Sequence, residues 1–268
     1  MKLKLLSYNI RFGGRERQSQ LAEVINRIAP DIVVFQEASD PRVIEYLSDA
    51  CQMPFHAARA RNSVGFISRL EIAHHEWHRP AGAHHSFLEI QLGGAEMRIF
   101  GLHLKARFSK WSERQRHHEI RALLESIKRH QHGFHIIVGD FNTLAPNEVF
   151  NLPLMPLWIR ALIWISGRDI RRDTIQTMLD TGYLDGFRNL YPDDKGYTFP
   201  VWQPHVRLDY IFVPARYSGY LKSCKVVREP AIVTKASDHF PLLCELEIAE
   251  KKDFPLIAAK SQKVTDKS

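Results

Sequence analysis

Short apolar runs that end in the same kind of polar side chain recur along almost the whole chain of 268 residues. Their length and their content of Val, Ile, Leu and Phe are typical of buried β-strands. An Asn, Glu, Asp or His stands at or beside the end of each run. The six segments are Ser7-Tyr8-Asn9, Phe35-Gln36-Glu37, Gly101-Leu102-His103, Gly139-Asp140-Phe141-Asn142, Arg207-Leu208-Asp209-Tyr210 and Ser237-Asp238-His239. Because they come from both halves of the chain, one domain must bring them together.

The pattern between these segments predicts a mixed α/β fold. Apolar residues recur at helical spacing from Leu21 to Ile28, and Pro30 ends that helix. A second helix is predicted from Ser112 to about Arg129, and Gly93-Gly94 indicates a hairpin. Strands are predicted at residues 3–10, 31–35, 64–68, 72–77, 87–92, 97–104, 135–138, 208–213, 223–228 and 242–248. Two sheets packed face to face, with helices outside, accommodate this count and let the strand ends converge on one edge.

The domain is expected to span residues 1–249, and the Lys-, Ser- and Asp-rich tail at 250–268 is expected to be disordered. The apolar run at the N-terminus is too short for a signal peptide and reads as a strand. Three cysteines provide neither a disulfide framework nor zinc-site spacing, which favours a reducing compartment. These features together predict a cytoplasmic protein, which we take to be a monomer.

The net charge favours a polyanionic partner. Lys and Arg outnumber Asp and Glu by 37 to 30, and the pI is about 9.3. Nucleic acid, phosphate esters and an acidic lipid surface are all consistent with that charge. The clusters Arg59-Ala60-Arg61 and Arg114-Gln115-Arg116 favour nucleic acid over phospholipid.

The segment 152–166 is almost entirely apolar but too short to cross a bilayer, which needs ~20 residues. Pro153 and Pro156 delay a helix to about Leu157, and a helix that is apolar all round is normally buried. Burial is therefore the prediction. The alternative is an exposed helix whose tryptophans contact a membrane surface or cover the substrate.

Polar residues at the strand ends are suited to a hard divalent cation and to activated water. Glu37 follows a buried strand and offers an oxygen ligand to Mg²⁺ or Mn²⁺. Asn9 can position Glu37 or bind the metal through its carbonyl. Asp140 can orient or deprotonate water, and Asn142 can donate hydrogen bonds to charge on phosphorus oxygens.

The remaining candidates fit acid–base and phosphate contacts. His239 beside Asp238, with Asp209 on a neighbouring strand, suits a general base or a transition-state stabiliser. His103 can contact the phosphate or protonate the leaving oxygen. Lys105 and Arg207 are candidate phosphate contacts. Which residue accepts the proton is left open by the sequence.

Taken in order, the six segments resemble the endonuclease/exonuclease/phosphatase superfamily, the DNase I-like fold. The strand-terminal Asn9, the Gln36-Glu37 pair, the Gly-Asp-Phe-Asn segment, Asp209-Tyr210 and Ser-Asp-His carry the resemblance. It implies a four-layer α/β sandwich of two packed mixed β-sheets flanked by helices. It also implies that Glu37 is a metal ligand with Asn9 and Asp238 near the cation, that Asp140 and Asn142 are catalytic, and that His239 pairs with Asp209.

Abasic-site endonucleases carry a Tyr-containing motif at the position of His103. A His at this position is more similar to the DNase I, sphingomyelinase and inositol-phosphatase branches. The sequence therefore predicts a divalent-metal-dependent phosphodiesterase that uses in-line attack of water, with a nuclease favoured. The alternatives are a sphingomyelinase-like phosphodiesterase, a phosphatase acting on soluble esters, and a binding module that has lost its chemistry. The intact set of polar residues argues against the last. Endo- or exo-action and the number of metals stay open.

Overall fold

The protein is described by a computed structural model at residues 1–94, 96–106, 109–146, 148, 152–154, 157, 160 and 171–248. Its strands are β1 (Lys2–Asn9), β2 (Ile32–Gln36), β3 (Phe55–Ala57), β4 (Val64–Ser68), β5 (Ile72–His78), β6 (Phe87–Leu92), β7 (Arg98–His103), β8 (His135–Asp140), β9 (Tyr183–Asp185), β10 (Asp209–Pro214), β11 (Leu221–Val226) and β12 (Leu242–Glu247). Its helices are α1 (Gln18–Ile28), α2 (Pro41–Ala50), α3 (Lys110–Ser126), α4 (Asp173–Asp180), α5 (Gly186–Leu190) and α6 (Val233–Ala236). None of these described helices is long and apolar enough to cross a membrane.

The strands form two six-stranded mixed sheets, as predicted. Sheet A has the order β11-β12-β1-β2-β4-β3, and sheet B has the order β5-β6-β7-β8-β10-β9. One pair in each sheet is parallel, β1 with β2 and β7 with β8, and the other pairs are antiparallel. The predicted strands at 64–68 and 87–92 have the observed bounds.

Apolar side chains fill three interfaces between four layers. The two sheets meet through residues such as Val34, Ile90 and Val138. Helices α1 and α2 cover the other face of sheet A, where Leu21 and Ile44 pack on its strands. Helices α3 and α4 cover sheet B in the same way. Since most central strands are buried on both faces, their sequences are continuous apolar runs. The architecture is the predicted four-layer α/β sandwich.

Two glycines allow close packing near the strand ends. A Cβ on Gly101 would lie 2.7 Å from a methyl carbon of Val34 on the facing sheet. A Cβ on Gly139, whose φ is +148°, would lie 1.9 Å from the carbonyl oxygen of Leu102 on the neighbouring strand. The close approach at Gly139 is therefore between β8 and β7.

Two predicted segments differ from the sequence expectation. Helix α3 begins at Lys110, before Ser112, because the Ser109 hydroxyl caps it by accepting a hydrogen bond from the Ser112 backbone N–H. Most of 152–166 and the tail 250–268 lie outside the described residues. Within the first segment, Leu157 is exposed, which does not fit the predicted burial of that position.

Candidate active site

The predicted site residues lie at one edge of the sandwich because the strand registers align their ends. In sheet B, His103 pairs with Asp140 across β7 and β8, and Asp140 pairs with Asp209 across β8 and β10. In sheet A, Asn9 pairs with Gln36 at the ends of β1 and β2. Glu37 follows immediately, with its backbone in the left-handed region at φ 58°.

Asn9 joins the two halves of the site. Its buried side-chain amide donates hydrogen bonds to Glu37 Oε1 at 3.3 Å and to Asp140 Oδ2 at 3.0 Å. Its backbone carbonyl accepts a hydrogen bond from the Ser237 hydroxyl at 2.6 Å. Asn9 thus contacts the loop that carries Asp238 as well as both sheets. The residue predicted to position Glu37 does contact it.

Asp140 lies at the centre of the cluster. Its Oδ1 accepts a hydrogen bond from the Asn142 backbone N–H at 2.9 Å, which leaves Oδ2 directed towards Asn9 and two histidines. The Nε2 atoms of His103 and His239 lie 3.8 and 3.9 Å from Oδ2. Burial and the nearby carboxylate of Asp209 raise the pKa of Asp140 to about 7.

His239 is held by Asp209. Its Nδ1 lies 2.8 Å from Asp209 Oδ2, and its ring packs against Phe199 with a centroid distance of 4.8 Å. Burial lowers the pKa of His239, but the attraction and hydrogen bond of Asp209, with the charges of Asp140 and Asp238, outweigh it and raise the pKa to about 10. The imidazolium is therefore the form present at neutral pH.

His103 has the opposite electrostatic character. Burial lowers its pKa to about 4, although the charge of Glu37 opposes this, so the ring is neutral at pH 7. Its Nδ1 is buried without a hydrogen-bond partner among the described residues. A cavity of about 20 Å³ beside it is lined by residues including His85 and Glu119. That volume is sufficient for one water molecule.

Glu37 and Asp238 supply partly exposed carboxylates at the mouth of the site. The Phe12 backbone N–H donates to Glu37 Oε2 at 2.6 Å, and Arg11 Nε lies 3.3 Å from Asp238 Oδ2. Burial and the charge of Arg11 lower the pKa of Arg17. The charges of Glu37 and Asp238 oppose that lowering. Two partly exposed carboxylates suit Mg²⁺ or Mn²⁺, which bind oxygen and keep several waters. The Asn9 side-chain oxygen beside them is buried and accepts a hydrogen bond from the Arg11 backbone N–H at 3.0 Å.

A second set of metal-ligand types is more deeply buried. One side-chain atom from each of Asp140, Asp209 and His239 lies within 4.8 Å of the others. However, the raised pKa of His239 and its hydrogen bond to Asp209 commit both of these side chains to each other. The partly exposed set at Glu37 and Asp238 is the better fit for a hydrated cation.

The two candidate phosphate contacts have different surroundings. Lys105 is partly exposed and directly follows Leu104, whose carbonyl accepts a hydrogen bond from the Asn142 side chain at 2.9 Å. Arg207 is fully buried, with Nε 2.7 Å from Glu148 and two further hydrogen bonds to Asp185. A guanidinium enclosed in this way does not fit the predicted phosphate contact, and we assign it to the packing of β9 against β10.

A buried ion pair beneath the site was not predicted from the sequence. Glu113 accepts hydrogen bonds from Arg116 at 2.8 Å, from the Thr143 hydroxyl at 2.7 Å and from the Thr174 backbone N–H at 2.9 Å. Arg116 also donates to the Lys105 carbonyl oxygen. The pair therefore connects the loops that follow His103 and Asn142. Oppositely charged residues three positions apart are also common on the exposed faces of helices. The spacing of Glu113 and Arg116 therefore did not indicate that their ion pair is buried.

Stability of the metal-free protein is expected to fall as pH rises from about 7 to 8.5. An unfolded histidine loses its proton near its ordinary pKa of ~6.5, whereas folded His239 retains it to about pH 10. The folded state then binds more protons, so its unfolding free energy decreases by about 1.4 kcal/mol per pH unit across this window. Urea denaturation in EDTA measures this slope. The His239→Gln variant should have a shallower dependence, and equal slopes in both proteins would contradict the assignment.

Comparisons with known proteins identify the family and the fold. The sequence matches the Endonuclease/Exonuclease/phosphatase family over residues 6–239. No curated protein matches. The structure of a 3′ phosphatase, NExo from Neisseria, bound to a product DNA hairpin, is similar with a TM-score of 0.70 at 19% identity, and the match covers 92% of this chain and 100% of that one.

Two further solved structures share the fold. An AP endonuclease from Archaeoglobus fulgidus has a TM-score of 0.69 at 16% identity, with coverage of 92% and 100%. A humanized D. rerio TDP2 has a TM-score of 0.64 at 17% identity, with coverage of 92% and 99%. The family match begins within β1, ends at His239 and includes every strand-end residue described above. The chain therefore belongs to the Endonuclease/Exonuclease/phosphatase family.

Proposed function

We propose that the chain is a divalent-metal-dependent phosphodiesterase that hydrolyses nucleic acid by in-line attack of water. Family membership supports a hydrolase acting on phosphoester bonds. The observation that carries the proposal is the pairing at Asp140: a carboxyl group with a pKa of about 7 lies 3.9 Å from an imidazole whose pKa is raised to about 10. Two neighbouring groups whose pKa values are both strongly raised are typical of acid–base sites.

Mg²⁺ or Mn²⁺ would be held by Glu37 and Asp238, with the Asn9 carbonyl nearby. When bound, the cation neutralises charge on the scissile phosphate and polarises its phosphorus–oxygen bonds. The chain itself orients this group of ligands: the Asn9 amide holds Glu37 Oε1, and the Phe12 backbone N–H holds Glu37 Oε2.

Asp140 accepts the proton of the attacking water. A pKa of about 7 leaves the carboxylate substantially ionised at neutral pH and also basic enough to take a proton. The Asn142 backbone N–H occupies Oδ1, so Oδ2 is the atom directed towards the reaction. In-line attack requires the water oxygen to lie opposite the leaving oxygen across phosphorus, and general-base catalysis requires it to lie within hydrogen-bond distance of Oδ2.

His239 stabilises the charge that develops on the phosphate. Its Nδ1–H is directed to Asp209, which leaves Nε2–H to donate to a phosphate oxygen. The hydrogen bond to Asp209 and the raised pKa of His239 favour this role over that of the general base. The low pKa of His103 likewise favours a phosphate contact over protonation of the leaving oxygen, which would take its proton from solvent. Lys105 remains a candidate contact at the same side.

Hydrolysis of bis-p-nitrophenyl phosphate is expected to require Mg²⁺ or Mn²⁺ and to stop with EDTA. The Glu37→Gln variant should need a higher metal concentration for half-maximal activity, because one carboxylate ligand becomes a weaker amide. Glu125→Gln, an exposed carboxylate on α3, is the matched control and should behave as wild type. Full activity after exhaustive chelation would refute metal dependence.

Nucleic acid is favoured over phospholipid by charge near the site. Arg11, Arg15 and Arg17 follow β1 in the loop that contacts Glu37 and Asp238. Arginine clusters beside a phosphate site strengthen the attraction of a polyanion. The similar 3′ phosphatase from Neisseria has a product DNA hairpin bound in its structure. Parallel assays on DNA, RNA, sphingomyelin and inositol phosphates test this choice, and cleavage of sphingomyelin alone would favour the lipid alternative.

A further inference from the structure

Two aromatic side chains are exposed at the mouth of the site. Phe12 is 75% exposed and Trp202 is 67% exposed. Each directly follows a residue that contacts Asp238: Arg11 pairs with the Asp238 carboxylate, and the Val201 backbone N–H donates to the Asp238 carbonyl oxygen at 3.0 Å. The two rings therefore emerge beside the same proposed metal ligand, from two different loops.

The backbone that carries Phe12 is strained and specifically held. Arg11 and Phe12 have φ angles of 50° and 49°, a left-handed conformation that non-glycine residues rarely adopt. Hydrogen bonds from the Phe12 and Gly13 backbone N–H groups to Glu37 maintain it. A strained loop that exposes a large apolar ring next to catalytic groups is unfavourable for stability alone, and such strain is concentrated at functional sites.

Trp202 lies at the tip of an anchored turn. The turn from Pro200 to Gln203 is closed by the Gln203 backbone N–H, which donates to the Pro200 carbonyl oxygen at 3.1 Å. Buried Val201 fixes its base. Phe199 lies between His239 and Trp202, with ring centroid distances of 4.8 and 6.3 Å. Trp202 is thus held at a defined position relative to the imidazole that faces the phosphate.

The surroundings of the two rings favour a nucleobase over a lipid surface. The guanidinium of Arg11 lies 5.4 Å from the Phe12 ring centre, and the neighbouring Arg15 and Gln203 are exposed and polar. Separate aromatic faces among cationic and polar groups are typical of sites that stack bases and attract the nucleic-acid backbone. Contact with lipid tails would instead favour a contiguous apolar patch.

We propose that Phe12 and Trp202 stack against unpaired nucleobases next to the scissile phosphate, so that the preferred substrate is a single strand or a frayed end. This inference rests on the proposed function. In an intact duplex, both faces of an internal base are covered by its neighbours. A base can present a face to these rings only when it is unstacked.

Binding without cleavage tests the stacking directly. Fluorescence anisotropy in EDTA compares a labelled oligothymidylate with an oligomer of the same length whose bases are removed. Wild type should bind the thymidylate about tenfold more tightly than the abasic oligomer. Phe12→Leu and Trp202→Leu should each reduce this ratio several-fold, with the abasic affinity unchanged, because leucine keeps an apolar side chain but lacks a flat ring.

Matched variants separate stacking from loss of fold. Phe12→Trp and Trp202→Phe should retain the ratio. Phe55→Leu removes an exposed ring from β3, whose residue 55 pairs with Ser68 at the opposite end of sheet A from the site, and should also retain it. An unchanged ratio in both Phe12→Leu and Trp202→Leu would overturn the proposal. So would variants that lose binding to anionic phospholipid vesicles but keep the preference for thymidylate over the abasic oligomer.

The catalytic arm distinguishes this inference from the proposed function. With Mg²⁺, Phe12→Leu and Trp202→Leu should lower kcat/KM more on single-stranded DNA than on an abasic single strand of the same length, which has no bases to stack. Equal losses on both substrates would overturn the stacking role. Absence of wild-type hydrolysis of any phosphodiester would instead refute the proposed function, while the binding ratio would still report on the two rings.

Discussion

Replacing His239 or Asp140 with alanine is expected to lower kcat on bis-p-nitrophenyl phosphate by ~10² or more, with a much smaller change in KM. In the proposed mechanism, Asp140→Ala removes the group that accepts the proton of water. His239→Ala removes the proposed charged donor to the phosphate. Both interactions are made most strongly in the transition state, so their loss affects turnover more than substrate affinity.

A buried histidine outside the site is the matched control for these variants. His135 begins β8, the strand that Asp140 ends, and its Nε2 lies 2.7 Å from the Tyr183 hydroxyl. His135→Ala should affect stability but retain turnover per folded molecule. Near-wild-type turnover in either His239→Ala or Asp140→Ala would exclude that residue from the mechanism.

The Glu113→Ala substitution is expected to reduce the unfolding free energy by about 3–5 kcal/mol, which is typical when one partner of a buried ion pair is removed. Both side chains of the Glu113–Arg116 pair are almost fully buried. The substitution leaves the Arg116 charge without this carboxylate and removes the acceptor of the Thr143 and Thr174 hydrogen bonds. Urea denaturation in EDTA gives the free energy.

The same helix provides the control for this measurement. Glu125 and Lys128 form an ion pair with the same spacing of three residues, but both side chains are more than 70% exposed. Glu125→Ala should cost less than ~1 kcal/mol, since water screens exposed pairs. Similar losses of unfolding free energy in Glu113→Ala and Glu125→Ala would show that burial does not increase the contribution of the Glu113–Arg116 pair to stability.

Strands could be predicted from the sequence where burial on both faces makes most residues of a short segment apolar. The strands at 64–68 and 87–92 are buried along almost their whole length, and their apolar runs mark both ends. The three-residue strands β3 and β9 were not predicted, because so short a segment has no periodicity to read. Helix α2 was not predicted either, although the Asp40 cap, Pro41 and the spacing of Val43 and Leu47 carried its signal.

The sequence by itself determined the order of strand-end residues that is typical of the family and, through it, the fold class. Only the tertiary structure decided how those residues contact one another. Asn9 and Asp140 lie 131 positions apart, and their hydrogen bond depends on the packing of two sheets. Arg207 is withdrawn from the site by Asp185 and Glu148, which lie 22 and 59 positions away. Burial and electrostatic potential are sums over neighbours distant in the chain, so they shift the pKa values of Asp140 and His239 only once the fold has formed.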